Sequence, residues 1–325
     1  MTAFMPRRAL LGAAALLPLA RPALAQAFPS RPIRFICPFP AGGIVDLVMR
    51  THTDELAAEL GQPVVIDVRT GAGGLIGSQQ LVQAAPDGHT WLMASLGNIV
   101  APILTPSGFH PVEAIQGLSL VSHSVSVVVV RGDSTARTIQ DVAALAKARP
   151  GQLNYLRAGN GSFAHMSMEL MQRVMGFQVT AVDYRGLPPG ILDMLAGRLD
   201  LAVLSTGLAK QHIQSGTMRA VAAIGSTRSP DLPDVPTLTE AGVPEANMDS
   251  WYIAVAPRGL PDAALARIHG AYTKVLSTPA VQQKLRSVGT IPAATLPPAA
   301  EVQAMLVREH AKFERLVREA NIRAS

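Results

Sequence analysis

Ile33-Arg34-Phe35-Ile36-Cys37, then Pro38-Phe39-Pro40-Ala41-Gly42-Gly43, then Ile44 to Leu60 (IVDLVMRTHTDELAAEL) is the stretch that decides the fold. A short apolar strand runs through a Pro/Gly loop into a helix. Leu47, Val48, Leu56 and Leu60 share one face of that helix, and Gly61 stops it. Gly42 and Gly43 have no Cβ, so the backbone can turn sharply and bring its N–H groups close to a bound molecule. A helix that starts at such a turn also presents unpaired N–H donors and a partial positive charge. Strand, glycine loop and helix start together make an anion site that needs no basic side chain. A glycine pair is also an ordinary turn, and both readings stand for this loop alone.

Downstream the same unit repeats. Val64 to Val68 is a β-branched strand, Gly71 to Gly74 a loop, Leu75 to Ala84 a helix and Thr90 to Ala94 a strand. An irregular stretch with Pro102, Pro106, Gly108 and Pro111 follows, and then Val125 to Val130, the most β-rich run of the chain. Alternation resumes with helices at Ile139 to Ala148, Ser162 to Met175 and Gly190 to Leu195. Strands fall at Leu153 to Leu156, Val179 to Val182, Leu199 to Leu204 and Arg219 to Ile224. Ser229 to Pro244 reads as a connection. Trp251 to Ala256 is a strand, and helices at Pro261 to Leu276, Val281 to Val288 and Ala299 to Glu319 finish the chain. The pattern predicts an α/β protein of two lobes, each a mainly parallel sheet flanked by helices. Residues 28–124 and 241–325 form the first lobe and 125–240 the second, with ligands bound in the cleft between them.

The second lobe carries a matching loop, Gly159-Asn160-Gly161-Ser162, again between a strand and a helix, with His165 one turn further on. Two such loops, one per lobe, facing one cleft would hold a carboxylate between backbone amides. The candidate ligand-binding residues are Ala41, Gly42, Gly43 and Asp46 from the first loop and Asn160, Gly161, Ser162 and His165 from the second. Ser95, Tyr184 and Ser205, each at or just beyond a strand end, complete the set. Gly71 to Gly77 has the spacing G-x-G-x-x-x-G rather than G-x-G-x-x-G and follows the second strand, which argues against a dinucleotide site.

Composition narrows the function. The first residues read as a secretory signal, residues 1–25: Arg7-Arg8, an apolar run from Ala9 to Ala20, and Ala23-Leu24-Ala25 before the cut, with cleavage after Ala27 as the alternative. The arginine pair also suits a twin-arginine signal, so both export routes to the periplasm stand. Removing Arg7, Arg8 and Arg21 leaves 25 basic against 23 acidic residues, a net charge of +2 in place of +5. No Lys/Arg run marks a nucleic-acid surface, and aromatic residues are only 4% of the chain. Cys37, the single cysteine, excludes an intramolecular disulfide and reads as a buried strand thiol. No G-x-S-x-G, H-E-x-x-H or G-x-x-x-x-G-K occurs, and the eight histidines lack metal-ligand spacing. No catalytic residue, metal or cofactor is therefore assigned.

Phe35 to Asp46 (FICPFPAGGIVD), Gly61 to Val65 (GQPVV), Arg69 to Gly74 (RTGAGG) and Ala85 to Gly88 (APDG) resemble the first lobe of the Bug receptors. These are the extracytoplasmic solute receptors of the tripartite tricarboxylate transporter family. Pro150 to Tyr155, Gly159 to His165 (GNGSFAH), Asp183 to Gly186 (DYRG), Arg228 to Gly242, Ser250 to Tyr252 and Ala256-Pro257 continue the likeness over essentially the whole mature chain. The resemblance implies a Venus-flytrap periplasmic binding protein. It would act as a monomer, bind a small carboxylated solute largely through backbone amides and water, and serve a membrane permease or a sensor. Two positions depart from the pattern. Val45 stands where a hydroxyl residue is common, and the strand from Leu199 ends Val203-Leu204-Ser205-Thr206 where an Asp is common. An ammonium group would find no counter-charge there. The competing reading is a periplasmic enzyme on the same scaffold with His165 or Asp46 as base, which fold alone does not exclude.

Overall fold

The computed structural model describes residues 28–319 and Ile322, so the expected signal segment lies outside the described residues. In the first lobe, β1 (Ile33–Cys37) pairs in parallel with β2 (Val64–Val68) and β3 (Thr90–Ala94). Both neighbours cover it, and every side chain of β1 except Arg34 is buried, which is why it reads as a continuous apolar run. Arg34 is held by Asp67 of β2 at 2.6 Å. β3 then pairs antiparallel with β10 (Ser250–Pro257), β10 with β4 (Ile115–Ser124), and β4 with β11 (Thr290–Pro292), giving the order β11-β4-β10-β3-β1-β2. The second sheet is β7-β6-β8-β5-β9, from β5 (Ser126–Arg131), β6 (Asn154–Arg157), β7 (Thr180–Asp183), β8 (Leu201–Ser205) and β9 (Met218–Ile224). Here β6 pairs in parallel with β7 and β8, whereas β5 runs antiparallel to β8 and β9.

Both sheets are therefore mixed rather than mainly parallel. A parallel neighbour needs a crossover, which the helices after β1, β2 and β6 supply. β4, β5 and β10 instead carry the chain between lobes. Only Val125 separates β4 from β5, and the return lies between Ile224 and Ser250. Within that return, Leu238, Val243, Ala246 and Met248 pack in the second-lobe core.

The helices are α1 (Ile44–Arg50), α2 (Thr53–Leu60), α3 (Leu75–Val82), α4 (Leu96–Leu104), α5 (Ile139–Ala148) and α6 (Phe163–Met175). They continue with α7 (Leu187–Leu195), α8 (Thr206–Gln214), α9 (Asp262–Leu276), α10 (Pro279–Ser287) and α11 (Ala299–Glu319). The expected helix from Ile44 to Leu60 is two helices. Thr51 Oγ1 donates to Val48 O at 2.6 Å and Thr53 Oγ1 to Met49 O at 2.6 Å, so side chains compete for the carbonyls that would continue the helix. The proline-rich stretch after β3 is also ordered. α4 keeps Pro102 in its last turns, because Leu96, Ile99, Val100 and Ala101 are buried and hold the helix. β4 fills the gap before β5, and neither element was expected from the sequence.

Alternate residues of each strand feed opposite faces. Phe35, Trp91 and Tyr252 lie in one core of the first lobe and Ile36, Leu92 and Ile253 in the other. In the second lobe Val128, Val130 and Val203 oppose Val127, Val129 and Leu204. α11 packs chiefly on β4 and α4 of the first lobe, with Val302 and Leu306 in a first-lobe core and Phe313 in the cluster where α4 meets the second lobe.

Candidate functional site

Five helices begin at one cavity. Gly43, Ser95, Ser162, Gly186 and Ser205 are the N-cap residues of α1, α4, α6, α7 and α8, and all five line it. The first two belong to the first lobe and the other three to the second. The cavity lies beyond the strand ends, where open α/β sheets bind ligands. Its volume is about 90 Å³. Taking about 10–15 Å³ for each water-sized site, it has room for roughly six to nine non-hydrogen atoms. No Asp, Glu, Lys, Arg or His is among its lining residues.

The starts of α4 and α6 line the cavity from the two lobes. The first-turn N–H groups of a helix have no partner within it. Part of each first turn is satisfied locally: Ser95 N donates to Asn98 Oδ1 at 3.0 Å, and His165 N donates to Ser162 Oγ at 3.3 Å. The two helices meet in one packed cluster, where Leu96 and Val100 of α4 lie with Ala164 and Met168 of α6. Their two positive ends thus approach the same space from opposite lobes. The strands add hydroxyls. Ser126 and Ser205 are direct cross-strand partners, and Ser250 and Tyr252 come from β10. Ser205 Oγ is buried and has no hydrogen-bond partner among the described residues. Burial pushes the Tyr252 phenol up to about 12, against the pull of hydrogen bonds with Ser124 and Ser250, so it stays protonated.

The other expected site residues separate from these. Asn160 and Tyr184 line a second, outer cavity of about 390 Å³ that shares Phe39, Pro40, Ala158 and Gly186 with the inner one. Tyr184 OH donates to Asp193 at 2.6 Å. Ala41 and Gly42 are exposed and line neither cavity. Gly42 has φ +76°, and its N–H donates to Asp46 Oδ2 at 2.9 Å, while Arg50 pairs with the same carboxylate at 3.0 Å. Asp46 is thus turned back to fix the loop that aims Gly43 at the cavity. His165 is also turned away: its Nδ1 accepts from Gly161 N at 3.0 Å. Burial, aided by the nearby Arg157 charge, pushes His165 down to about 4, so it is neutral with the proton on Nε2. Arg157 itself grips Asp183 through two bonds, of 2.6 and 2.5 Å.

Sequence reasoning missed Phe39, Leu96, Ser126, Phe163, Gly186, Leu187, Ser250 and Tyr252 as lining residues. The available signal was position: most flank a loop at a strand end or lie on a strand that crosses between lobes. At the strand end where an Asp is common in the family pattern, Leu204 packs in the opposite core with Val127 and Leu156, and Val203 and Ser205 line the cavity. Val45 does line it.

The lobes touch around the cavity. A Cβ on Gly73 would stand 2.0 Å from Asn160 O, one on Gly186 2.7 Å from Pro40 Cγ, and one on Gly161 2.8 Å from Ala101 N. Beside the crossing strands, a Cβ on Gly207 would stand 2.0 Å from Val288 O. These contacts close the cleft over the inner cavity, and glycine is what permits them.

A deep, uncharged cavity between two α/β lobes is the arrangement of solute receptors, and the comparisons agree. The chain is 34% identical over 309 residues to the UPF0065 protein in the tcbD–tcbE intergenic region of Pseudomonas sp. (strain P51), covering 92% of this chain and 89% of that protein. It superposes on the periplasmic binding protein BugD with a TM-score of 0.85 at 28% identity, over 91% of this chain and 99% of BugD. It superposes on MatC from Rhodopseudomonas palustris with bound malate with a TM-score of 0.83 at 28% identity, over 89% and 100%. Residues 48–322 match the family model described as the tripartite tricarboxylate transporter family receptor, and the chain belongs to that family of solute receptors.

Proposed function

We propose that the protein is a periplasmic receptor that closes on a small organic carboxylate lacking an ammonium group and returns it unchanged. The observation that carries this is the inner cavity. Both lobes enclose it, helix starts from both lobes supply N–H donors, and no side chain of either charge lines it. A carboxylate there takes hydrogen bonds from amides already in place, each worth about 1.5–3 kcal/mol for a charged acceptor. An ammonium group would be buried without a partner, which is costly. The malate bound by MatC is a small carboxylate on the same fold.

Neither base considered for an enzyme, His165 or Asp46, lines the inner cavity, which favours capture over catalysis. The division expected from the sequence, 28–124 with 241–325 and 125–240, shifts in this reading so that the second lobe runs to 249 and the first resumes at Ser250. The packing of Val243, Ala246 and Met248 in the second-lobe core supports that division. Export removes the segment through Ala25 or Ala27. The mature chain acts as a monomer and hands its solute to a membrane permease or presents the closed form to a sensor.

The test is a thermal-shift screen of small carboxylates and amino acids on the mature protein, followed by mass spectrometry of the recovered solute. A carboxylate at 100-fold its Kd should stabilise the chain by about 2.7 kcal/mol and come back unaltered. Stabilisation by aspartate or glutamate alone, or recovery of a chemically changed solute, would sink the proposal.

A further inference from the structure

We propose that the inner cavity selects a solute with a single carboxylate and an apolar body, and rejects a second charge of either sign. This rests on the carboxylate reading above and narrows it. Although five helices start at the cavity, only one anion pole is available. α7 carries Pro188 and Pro189 in its first turn, and proline has no N–H to offer. In α8 the Thr206 N–H is taken by Val125 O at 3.1 Å, and the Gly207 backbone is pressed against Val288. α1 is only seven residues long, and the N–H of its N-cap Gly43 is taken by Pro40 O at 3.1 Å. The longer helices α4 and α6, whose starts face each other from the two lobes, remain.

A separate observation marks the cavity as built for a ligand. Ser205 lines it, the residue is 4% exposed, and its buried Oγ has no partner among the described residues. A hydroxyl can share one carboxylate oxygen or meet a neutral polar atom. By itself it does not replace the hydration of a second ion. Most of the remaining surface is hydrocarbon, from Phe39, Ile44, Val45, Leu96, Phe163 and Leu187. The side chain that could pair with a distal carboxylate, Arg185, lines the outer cavity and not the inner one. Pro40 and Gly186, in contact across the cleft, stand where the two cavities meet. A solute enclosed in the inner cavity thus meets no guanidinium among the residues that line it. Asp183 on the outer side is already neutralised by Arg157.

The test is calorimetry on the wild-type mature chain at neutral pH, with hexanoate, benzoate, succinate and 2-aminohexanoate as titrants. Hexanoate and succinate have the same number of non-hydrogen atoms, so size does not decide between them. Hexanoate or benzoate should bind at least tenfold more tightly than succinate and 2-aminohexanoate. If succinate binds as tightly as the better monocarboxylate or more so, the single-charge selection is wrong while the carboxylate reading stands. If 2-aminohexanoate matches hexanoate, the exclusion of ammonium is wrong as well. Binding of none of the four overturns both readings.

Discussion

Ser205 holds a buried hydroxyl that the protein itself leaves unpaired, and a buried polar group without a partner costs roughly 1–3 kcal/mol. Replacing it should therefore act in opposite directions on stability and on binding. Ser205→Ala is expected to leave the thermal midpoint of the ligand-free protein unchanged or raised, and to weaken carboxylate binding about fivefold, or about 1 kcal/mol. Calorimetric scanning and titration of the one variant read both numbers. A lowered midpoint with unchanged affinity would make the hydroxyl a structural group only. The identity of this residue as a candidate was legible in the sequence, but its reason was not. Strand alternation puts either Leu204 or Ser205 on the ligand face, and only the register that sets Ser126 opposite Ser205 decides which.

His165 and His52 make a second residue-scale prediction. Burial pushes both down to about 4, well below the ordinary histidine value of 6.5. Between those values the unfolded chain is protonated while the native chain is not. Stability therefore rises with pH across that window, by up to about 1.4 kcal/mol per pH unit for each histidine, and is complete above 6.5. Urea unfolding at several pH values between 4 and 7.5 should show that slope. His165→Gln, which removes one titrating group, should flatten it. A slope unchanged in the variant would mean that His165 is solvated in the native state. The sequence placed His165 beside the second loop correctly, but it could not tell an imidazole facing the ligand from one whose Nδ1 supports the Gly161 amide.

Among the elements, those with strong periodicity were legible. β1, β2, β3 and the helices α5, α6, α9 and α11 fall close to their expected ranges, because apolar spacing and caps agree locally. α5 is a case in point: Thr138 accepts from Asp141 N, and Asp141 accepts from Thr138 N, a reciprocal cap readable in the sequence. α4 and β4 were not legible. Pro102 signals a break, and Gly117, Ser119, Ser122 and Ser124 interrupt the apolar pattern of β4. Tertiary burial overrides both signals. α11 was legible as a helix, and it packs on β4 and α4 of the first lobe. Phe313, fully buried, lies in the cluster where α4 meets the second lobe. Phe313→Ala is expected to cost about 3–5 kcal/mol. Denaturant unfolding followed by circular dichroism measures this, and a loss below about 1 kcal/mol would show that Phe313 is not a packed core residue.

For the whole molecule, the two α/β units and the cleft followed from the repeated strand–loop–helix pattern and from motifs spread along the mature chain. The closed geometry did not, because it depends on glycines meeting residues far away in the sequence, as Gly73 meets Asn160 and Gly207 meets Val288. Composition likewise gave low charge overall but not the fact that the enclosed cavity has none on its walls. In the proposed function an anion is held there by backbone dipoles and hydroxyls alone. Titration calorimetry of the mature protein with benzoate and with benzamide tests it most directly, since the two differ in charge and scarcely in shape. The carboxylate is expected to bind at least tenfold more tightly than the amide, a difference of about 1.4 kcal/mol or more. Equal affinity, or preference for the amide, would contradict it.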